Sequence, residues 1–214
     1  MRIGGFVKQS LMDYPGKIAA VVFTQGCNFR CGYCHNPQLV LPELFINKPE
    51  YLPLNILSYL QERKSWLDGV VVTGGEPTIH KDLPLFLKEI KALGYSVKLD
   101  TNGSNPYMLK HIIKEKLADY IAMDIKIIPE KNMYGEITGI QMTDEIFEKI
   151  MASILILKNS PIEGEFRTTF IPGIHDGATL DLIQLLIGDG KTYTVNQFRE
   201  GDTIANNLTQ KEVI

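Results

Sequence analysis

The stretch IAAVVFTQGCNFRCGYCHN, residues 18–36, joins a short apolar segment to a loop that carries Cys27, Cys31 and Cys34. These are the only three cysteines in the sequence. Three thiolates on one short loop can hold three corners of a cuboidal iron–sulfur cluster, and no fourth cysteine is present for the remaining iron. A closed zinc site or an electron-carrying cluster usually takes four protein ligands. The spacing therefore indicates a metal centre with one iron open to a ligand.

Composition limits the classes of protein to consider. The 214 residues are 44% hydrophobic and 22% charged, so we expect a single domain, 1–214, with its core at about 18–199. The first strongly apolar stretch is too short to span a bilayer, and residues 1–5 lack the pattern of a secretory signal. A net charge of −3 gives no electrostatic reason to bind nucleic acid. Clustered thiols favour a reducing compartment, so we expect a cytoplasmic protein with no membrane or nucleic-acid partner.

Hydrophobic periodicity predicts strands that alternate with helices along the chain. The six predicted strands are 18–24, 69–73, 95–99, 120–124, 164–171 and 193–198. A helical pattern follows each of the first five strands, and a polar tail follows the last. Alternating strand–helix units imply parallel strands joined by right-handed crossovers. Six units predict an α/β fold with a partial (β/α)6 barrel, because a full eight-unit barrel usually needs about 250 residues.

Polar or glycine-rich clusters follow the predicted strands directly. They are Gln-Gly-Cys at 25–27, Gly-Gly-Glu-Pro at 74–77, Asp-Thr-Asn-Gly at 100–103, Asp-Ile-Lys at 124–126 and Pro-Gly-Ile-His at 172–175. The fifth strand also carries Arg167, a charge that is costly in an apolar strand unless it has a partner. Because the carboxyl ends of parallel strands form one rim, these clusters are expected to meet in one pocket.

The motifs at these positions resemble one known family. CNFRCGYCHN has the form CxxxCxxC with an aromatic residue before its last cysteine, and with GGEP it resembles the radical S-adenosylmethionine superfamily. The opening GFVKQSLMDYPGKIAAVVFTQGCNFRCGYCHNP, the runs DTNG and MDIK, and FRTTFIPGIHD are similar to the activating enzymes of glycyl-radical enzymes. They most resemble the activating-protein family of anaerobic ribonucleoside-triphosphate reductase. The resemblance covers the chain from Gly5 to about Arg199.

This resemblance implies two cofactors, a 4Fe-4S cluster and S-adenosylmethionine. The open iron would take the amino nitrogen and the carboxylate oxygen of S-adenosylmethionine, and one electron from the cluster would cleave the bond between sulfur and C5′. The resulting 5′-deoxyadenosyl radical would remove a hydrogen atom from a substrate carbon. A radical of this reactivity needs a closed, dry site, so the protein would orient and shield the reacting groups.

The resemblance also implies which residues of this sequence form the site. Cys27, Cys31 and Cys34 would bind the cluster, and Asp13 would lie in an N-terminal loop on the substrate side. Lys126 and Arg167 would face the methionine carboxylate. The implied cofactor-binding residues are Tyr33, Asn36, Gly74, Gly75, Glu76, Pro77, Asp100, Thr101, Asp124, Lys126, Arg167 and His175.

Several of these residues also have a purely structural interpretation. Residues 74–77 could form an ordinary strand-to-helix turn, and Arg167 could reach solvent from the end of its strand. Tyr33 could be a packing aromatic, and His175 a surface histidine in a turn. Asp13 could belong to a turn ahead of the first strand.

The leading hypothesis is an activase that generates a glycyl radical on a partner enzyme. Anaerobic ribonucleotide reductase is the favoured partner, a pyruvate formate-lyase-like enzyme is the second, and a flavodoxin or ferredoxin-type protein would supply the electron. A small-molecule radical enzyme such as 7-carboxy-7-deazaguanine synthase is a rival, although its family has a different ending to the cysteine motif. A zinc-binding or electron-transfer module would leave the GGEP and MDIK runs without a purpose.

Overall fold

The computed structural model describes residues 1–208, which form one seven-stranded sheet with helices packed against it. The strands are β1 (Ile3–Ser10), β2 (Ala19–Thr24), β3 (Gly69–Gly74), β4 (Ser96–Thr101), β5 (Tyr120–Asp124), β6 (Glu163–Phe170) and β7 (Thr192–Gln197). The helices are α1 (Pro37–Val40), α2 (Pro42–Phe45), α3 (Pro53–Glu62), α4 (Leu83–Ala92), α5 (Pro106–Lys114), α6 (Lys131–Thr138), α7 (Asp144–Lys158), α8 (Gly177–Ile187) and α9 (Ile204–Leu208). A short 3-10 helix covers Pro77–Ile79.

The strands lie in sequence order across the sheet, from β1 at one edge to β7 at the other. Strands β2 to β7 are parallel, and β1 pairs antiparallel with β2. The predicted α/β fold with six parallel strands is therefore confirmed, and each strand begins and ends within two residues of its predicted bounds. The sheet does not close into a full barrel, because β1 and β7 are both edge strands.

Strand β1 was not predicted from the sequence. It occupies a segment that the sequence suggested was part of an N-terminal loop, and only the residues after Ser10 form that loop. Its sequence, IGGFVKQS, contains two glycines and three polar residues, a composition with little preference for strands. Pairing with the apolar β2 supplies the order that the local sequence lacks.

Helices α6 and α9 were also unpredicted. Helix α6 is short, polar on average and contains Gly135, but the Glu130 side chain caps it by accepting hydrogen bonds from the amides of Asn132 and Met133, both at 3.1 Å. Helix α9 lies in the predicted polar tail, where residues 198–205 instead fold back against the cysteine loop. In the part of the chain that the structure describes, no helix is both long enough and apolar enough to cross a membrane.

The two faces of the sheet have different environments. One face packs against the helices in the main core, to which the strands contribute Val72, Leu99, Met123 and Phe166 among others. On the other face, Arg167 on β6 reaches across β5 to Asp100 on β4. Residues of β3 to β6 line one cavity on this side, and we call it the concave face. Alternation along each strand places apolar side chains in the core and most of the sheet's charged groups on the concave face.

Tyr14 fills the amino end of this concave face. It is 3% exposed and packs with Ala19, Val21 and Val71 in a small cluster separate from the main core. Gly69 at the start of β3 makes room for the ring, since a Cβ there would lie 3.0 Å from a Tyr14 ring carbon. The tyrosine therefore closes the end of the barrel opposite to the carboxyl ends of the strands.

Replacing Tyr14 with alanine should leave a cavity at this end and lower the free energy of unfolding by about 3–5 kcal/mol. Tyr107 is the matched control, because its side chain is 78% exposed and its truncation should change stability by less than about 0.5 kcal/mol. Urea unfolding of both variants measures the difference. Equal stabilities for the two variants would show that Tyr14 does not fill a packed position.

Candidate active site

The cysteine loop follows β2 directly and is held from two sides. The Arg30 guanidinium donates hydrogen bonds to the carbonyls of Cys27 at 2.6 Å and Phe29 at 2.7 Å. The Arg30 amide donates to the carbonyl of Thr138 at 2.8 Å, at the carboxyl end of α6. Gly139 makes this contact sterically possible, since a Cβ there would lie 2.5 Å from the Arg30 carbonyl oxygen. The loop therefore has a defined shape although it contains no helix or strand.

All three cysteines are free thiols in this loop, with Cys31 buried and the other two partly buried. Burial raises the pKa of Cys27 to about 12, with a further rise from the charge of Glu76, and burial also raises the pKa of Cys31. Without a metal these two groups are neutral thiols at pH 7. Coordination to a metal would deprotonate them.

The two glycines after β3 are required by chain packing. Gly74 has φ of +114°, and a Cβ on it would lie 2.5 Å from the backbone nitrogen and oxygen of Thr24. A Cβ on Gly75 would lie 2.0 Å from the carbonyl oxygen of Gly26. The GGEP turn thus presses against the chain that leads into Cys27, and its glycines are explained by this contact rather than by the approach of a ligand alone.

Glu76 cross-links the ends of β3 and β4. Its carboxylate is buried and accepts four hydrogen bonds, from the amide and hydroxyl of Thr78, the hydroxyl of Thr101 and the amide of Asn102. The distances run from 2.5 to 3.0 Å. Burial raises the pKa of the Glu76 carboxyl, and the four donors oppose that rise. The side chain fixes the spacing between the GGEP and DTNG runs.

Asn102 extends this cross-link to the cysteine loop. Its side-chain oxygen accepts from the Ser104 amide at 2.9 Å, which directs its NH₂ group toward Asn28 at 3.0 Å and the Cys27 sulfur at 3.9 Å. Asn28 completes the ring by donating to the Ser104 hydroxyl at 2.8 Å. A backbone amide, that of Phe29, also donates to the Cys27 sulfur at 3.4 Å. The Cys27 sulfur is therefore positioned both by Asn102, at the end of β4, and by the backbone of its own loop.

A chain of ion pairs crosses the concave face, and four of its members line the same cavity as the cysteines. Lys98 lies 3.1 Å from Asp100, Arg167 contacts both Asp100 at 3.3 Å and Asp124 at 3.0 Å, and Lys126 lies 2.9 Å from Asp124. Burial opposes charge on Asp124, but Lys126 and Arg167 hold its pKa well below the usual range. Asp124 in turn raises the pKa of Lys126 and Arg167 against the effect of burial. Asp124, Lys126 and Arg167 are therefore charged at neutral pH.

These elements surround one cavity at the carboxyl ends of the strands. It has a volume of about 240 Å³ and is partly open to solvent. The predicted site residues that line it are Cys27, Cys31, Tyr33, Cys34, Asn36, Gly74, Gly75, Glu76, Asp100, Thr101, Asp124, Lys126 and Arg167. Residues that the sequence placed on separate strand ends thus meet in a single pocket.

Three predicted site residues do not line this cavity. Pro77 is buried behind the turn that it begins. His175 is also buried, where one ring nitrogen accepts from the Ile171 amide at 3.1 Å and the other donates to the Lys126 carbonyl at 2.8 Å. Asp13 lies at the amino end of the barrel, where its carbonyl accepts from Lys98 at 2.6 Å. His175 is therefore neither a surface residue nor a residue of the cavity wall.

The cavity wall also includes residues that sequence reasoning missed. Asn102 lay within the DTNG cluster, so its position at a strand end was a usable signal. Thr169 lies two residues after Arg167 on the same face of β6, which strand alternation could have indicated. Ile204 belongs to the C-terminal segment, and nothing in its local sequence marked it.

The cavity fits an iron–sulfur cluster with a charged organic ligand. Among the described residues, no three His, Cys, Asp or Glu side chains converge on a point where one metal ion could sit. A cuboidal cluster does not require such convergence, because each thiolate binds a different iron. Asp100 also lines the cavity, with its Oδ1 buried 3.1 Å from the Lys98 ammonium and its Oδ2 3.3 Å from the Arg167 guanidinium. Of the three cations in the ion-pair chain, Lys126 and Arg167 line the cavity, where they can face an anionic group of a ligand.

Comparison with known proteins decides the family. Residues 21–186, most of the chain, match the family model of the radical SAM superfamily. SAM stands for S-adenosylmethionine. The protein belongs to the radical SAM superfamily. A radical SAM protein of this family binds a 4Fe-4S cluster and S-adenosylmethionine.

Curated relatives of this radical SAM protein include activating enzymes. A protein of Methanocaldococcus jannaschii named as a glycyl-radical enzyme activating enzyme is 35% identical over 202 residues, 94% of this chain and 81% of the relative. The pyruvate formate-lyase-activating enzyme of Staphylococcus epidermidis is 32% identical, covering 81% of this chain and 69% of the relative. The chain is thus a radical SAM enzyme of the glycyl-radical enzyme activating kind. A protein of Thermococcus kodakarensis named as a GTP 3′,8-cyclase is 28% identical, but this chain spans only 55% of its length.

Solved structures support the fold of the radical SAM protein. Streptococcus suis SuiB bound to S-adenosylmethionine superposes with a TM-score of 0.64 at 14% identity, over 85% of this chain and 40% of SuiB. A radical SAM methyltransferase from Sphaerobacter thermophilus gives 0.64 at 16% identity, over 93% of this chain and 64% of the methyltransferase. At these identities the likeness extends to the fold alone.

Replacing Gly75 with alanine should lower the free energy of unfolding by about 1–3 kcal/mol, because the new Cβ would overlap the Gly26 carbonyl and the backbone must shift. The control is Gly177→Ala at the start of α8, where a Cβ would meet nothing within 4 Å and should be neutral or stabilise by up to about 1 kcal/mol. Urea midpoints of both variants test this. A Gly75→Ala protein as stable as the control would contradict the packing explanation.

Replacing Arg167 with methionine should destabilise the protein at pH 7 by about 2–3 kcal/mol, because Asp100 and Asp124 lose their shared cation. This is less than for a fully buried pair, since 34% of the Asp124 side chain is accessible. The folded pKa of Asp124 is below its unfolded value, so its contribution is present above about pH 4 and disappears as pH falls further. Chemical unfolding from pH 3 to 8 should therefore show a constant difference between the two proteins above about pH 4 that begins to narrow toward pH 3. A pH-independent difference would contradict the charge argument.

Proposed function

We propose that this chain generates the glycyl radical of an anaerobic ribonucleoside-triphosphate reductase. The observation that carries the chemistry is the position of three free thiols on the rim of a cavity whose floor is a chain of ion pairs. The partner is inferred from the similarity of the opening segment and of the DTNG, MDIK and FRTTFIPGIHD runs to the activating proteins of that reductase. Because all of these groups lie on one sheet, we also propose that a single domain carries the activity.

Cys27, Cys31 and Cys34 are the proposed ligands of three irons, which leaves one iron for S-adenosylmethionine. When bound, the cluster and S-adenosylmethionine supply a 5′-deoxyadenosyl radical that takes a hydrogen atom from the Cα of a glycine in the partner. A glycine radical is stabilised by delocalisation over the flanking amides. The protein positions these groups and excludes water from them.

The ion-pair chain is proposed to hold the methionine part of S-adenosylmethionine. Lys126 and Arg167, the two cations that line the cavity, suit the methionine carboxylate. Asp100, a carboxylate that lines the cavity, suits the ammonium group, with Thr101 beside it. The backbone at 74–76 forms the adjoining wall, and Glu76 keeps that wall in register with β4 through its four hydrogen bonds.

Tyr33 and Asn36 are proposed to border the adenosine part, because both line the cavity beside the last cysteine. Burial raises the pKa of Tyr33, so its ring stays neutral. His175 is proposed to act indirectly, by holding the backbone carbonyl of Lys126 and so orienting that residue. Pro77 is proposed to act by stiffening the turn that carries Gly75 and Glu76. Asp13 is proposed to face the partner from the amino end of the barrel, and the Lys98–Asp100 pair separates it from the thiols.

The Staphylococcus epidermidis relative makes a pyruvate formate-lyase-type enzyme the second candidate partner. A flavodoxin or ferredoxin-type protein is the proposed electron donor. The rival proposal, a small-molecule radical enzyme, has some support from the relatives named as GTP 3′,8-cyclases, of which this chain spans about half.

The test is anaerobic reconstitution, reduction, and addition of S-adenosylmethionine with one candidate partner at a time. With the anaerobic reductase we expect 5′-deoxyadenosine and a glycyl doublet in the electron paramagnetic resonance spectrum of the partner. The Cys31→Ser variant should give neither product, because it cannot hold the complete cluster. A doublet only on a pyruvate formate-lyase-type enzyme would transfer the assignment to the second candidate. Consumption of GTP or a pterin without any doublet would contradict the activase proposal.

A further inference from the structure

The chain extends beyond the part that matches the radical SAM superfamily, which ends at residue 186. After β7, residues 198–206 turn back across the cysteine loop and end in helix α9. We call residues 198–206 the cover segment. Its contacts are made with the loop that carries the three thiols, although the segment lies more than 160 residues away in sequence.

Backbone hydrogen bonds join the cover segment to the cysteine loop. The Ile204 amide donates to the carbonyl of Cys34 at 3.1 Å, and the Ala205 amide donates to the carbonyl of Gly32 at 2.9 Å. The cover segment thus supplies donors for two carbonyls on either side of Tyr33. These bonds fix the part of the loop that contains the last cysteine.

The side chain of Ile204 fills the space beside the thiols. It is fully buried in a small cluster with Val40 and Leu41, and Cys27 and Cys34 pack against that cluster. Ile204 also lines the cavity. An apolar side chain at this point excludes water from the space beside Cys27 and Cys34.

A second attachment lies at the beginning of the cover segment. The ring of His35 stacks on Phe198 with centroids 5.2 Å apart and an interplanar angle of 26°. His35 Nε2 lies 2.6 Å from the Arg199 carbonyl, and because a carbonyl only accepts, this nitrogen must donate. The cover segment therefore contacts the cysteine loop at both of its ends, at His35 near its beginning and at the Cys34 carbonyl near its end.

We infer that the cover segment is part of the cluster-binding site, and that Ile204 is a positioning residue that keeps the cysteine loop closed over the cluster. The inference rests on the proposed assignment of the three cysteines as cluster ligands. A loop without helix or strand opens locally at low cost unless other parts of the chain hold it. The cover segment provides that restraint, so its weakening should expose the cluster to solutes before the protein unfolds as a whole.

The experiment measures iron release from the anaerobically reconstituted full chain to bathophenanthroline disulfonate, a ferrous chelator. Ile204→Ala should release iron at least about tenfold faster than wild type, because loss of a buried isoleucine makes local opening correspondingly more populated. Ile204→Val, which removes one methyl group, should give an intermediate rate and serves if the alanine variant does not fold. The control is Ile183→Ala, an equal truncation of a fully buried isoleucine in the core under α8.

The outcomes separate this inference from the proposed function. Fast release from the Ile204 variants with wild-type release from Ile183→Ala supports the cover segment. Equal release rates for wild type and both Ile204 variants would overturn it, and so would equally accelerated release from Ile183→Ala. If the wild-type chain binds no iron at all, the cysteine assignment fails first, and that failure is visible before any variant is compared.

Discussion

The site depends on one geometric constraint, the alignment of parallel strands. Strands β2 to β6 run in the same direction, so the residues that follow each of them come to one rim. This brings together the cysteine loop, the GGEP turn, the DTNG run and the MDIK run, which are separated by about 100 residues of sequence. Hydrogen bonds then fix their spacing, with Glu76 joining β3 to β4 and Asn102 joining β4 to Cys27.

Preorganisation of charge is the second requirement of the site. Five charged groups face one another on the concave surface, and each carboxylate lies between two cations. The arrangement keeps Asp124 ionised and Lys126 protonated, so the cavity presents fixed charges to a ligand without rearrangement. Tyr14 closes the other end of the barrel, which restricts access to these charges from the amino side.

The sequence predicted the parallel strands and most of the cavity wall because both follow from strong local patterns. Runs such as GVVVT at 69–73 have an unambiguous strand composition, and polar residues directly after a strand must lie at its carboxyl end. Strand β1 was missed because its stability comes from pairing with β2, not from its own residues. The position of His175 depends on a backbone carbonyl 49 residues away in sequence. The position of Ile204 depends on the C-terminal segment folding back onto Val40 and Leu41. Neither position could therefore be predicted from the neighbouring residues in the sequence.

The chemistry of the protein depends on three cysteines that we propose bind a 4Fe-4S cluster, whose fourth iron takes S-adenosylmethionine in this cavity. The most direct measurement is the electron paramagnetic resonance spectrum of the reduced, reconstituted protein before and after S-adenosylmethionine is added. We expect about four irons per chain and a spectrum that changes when S-adenosylmethionine binds, with nitrogen coupling from its amino group at the cluster. A protein that carries zinc, or a cluster whose spectrum is unchanged by saturating S-adenosylmethionine, would contradict it.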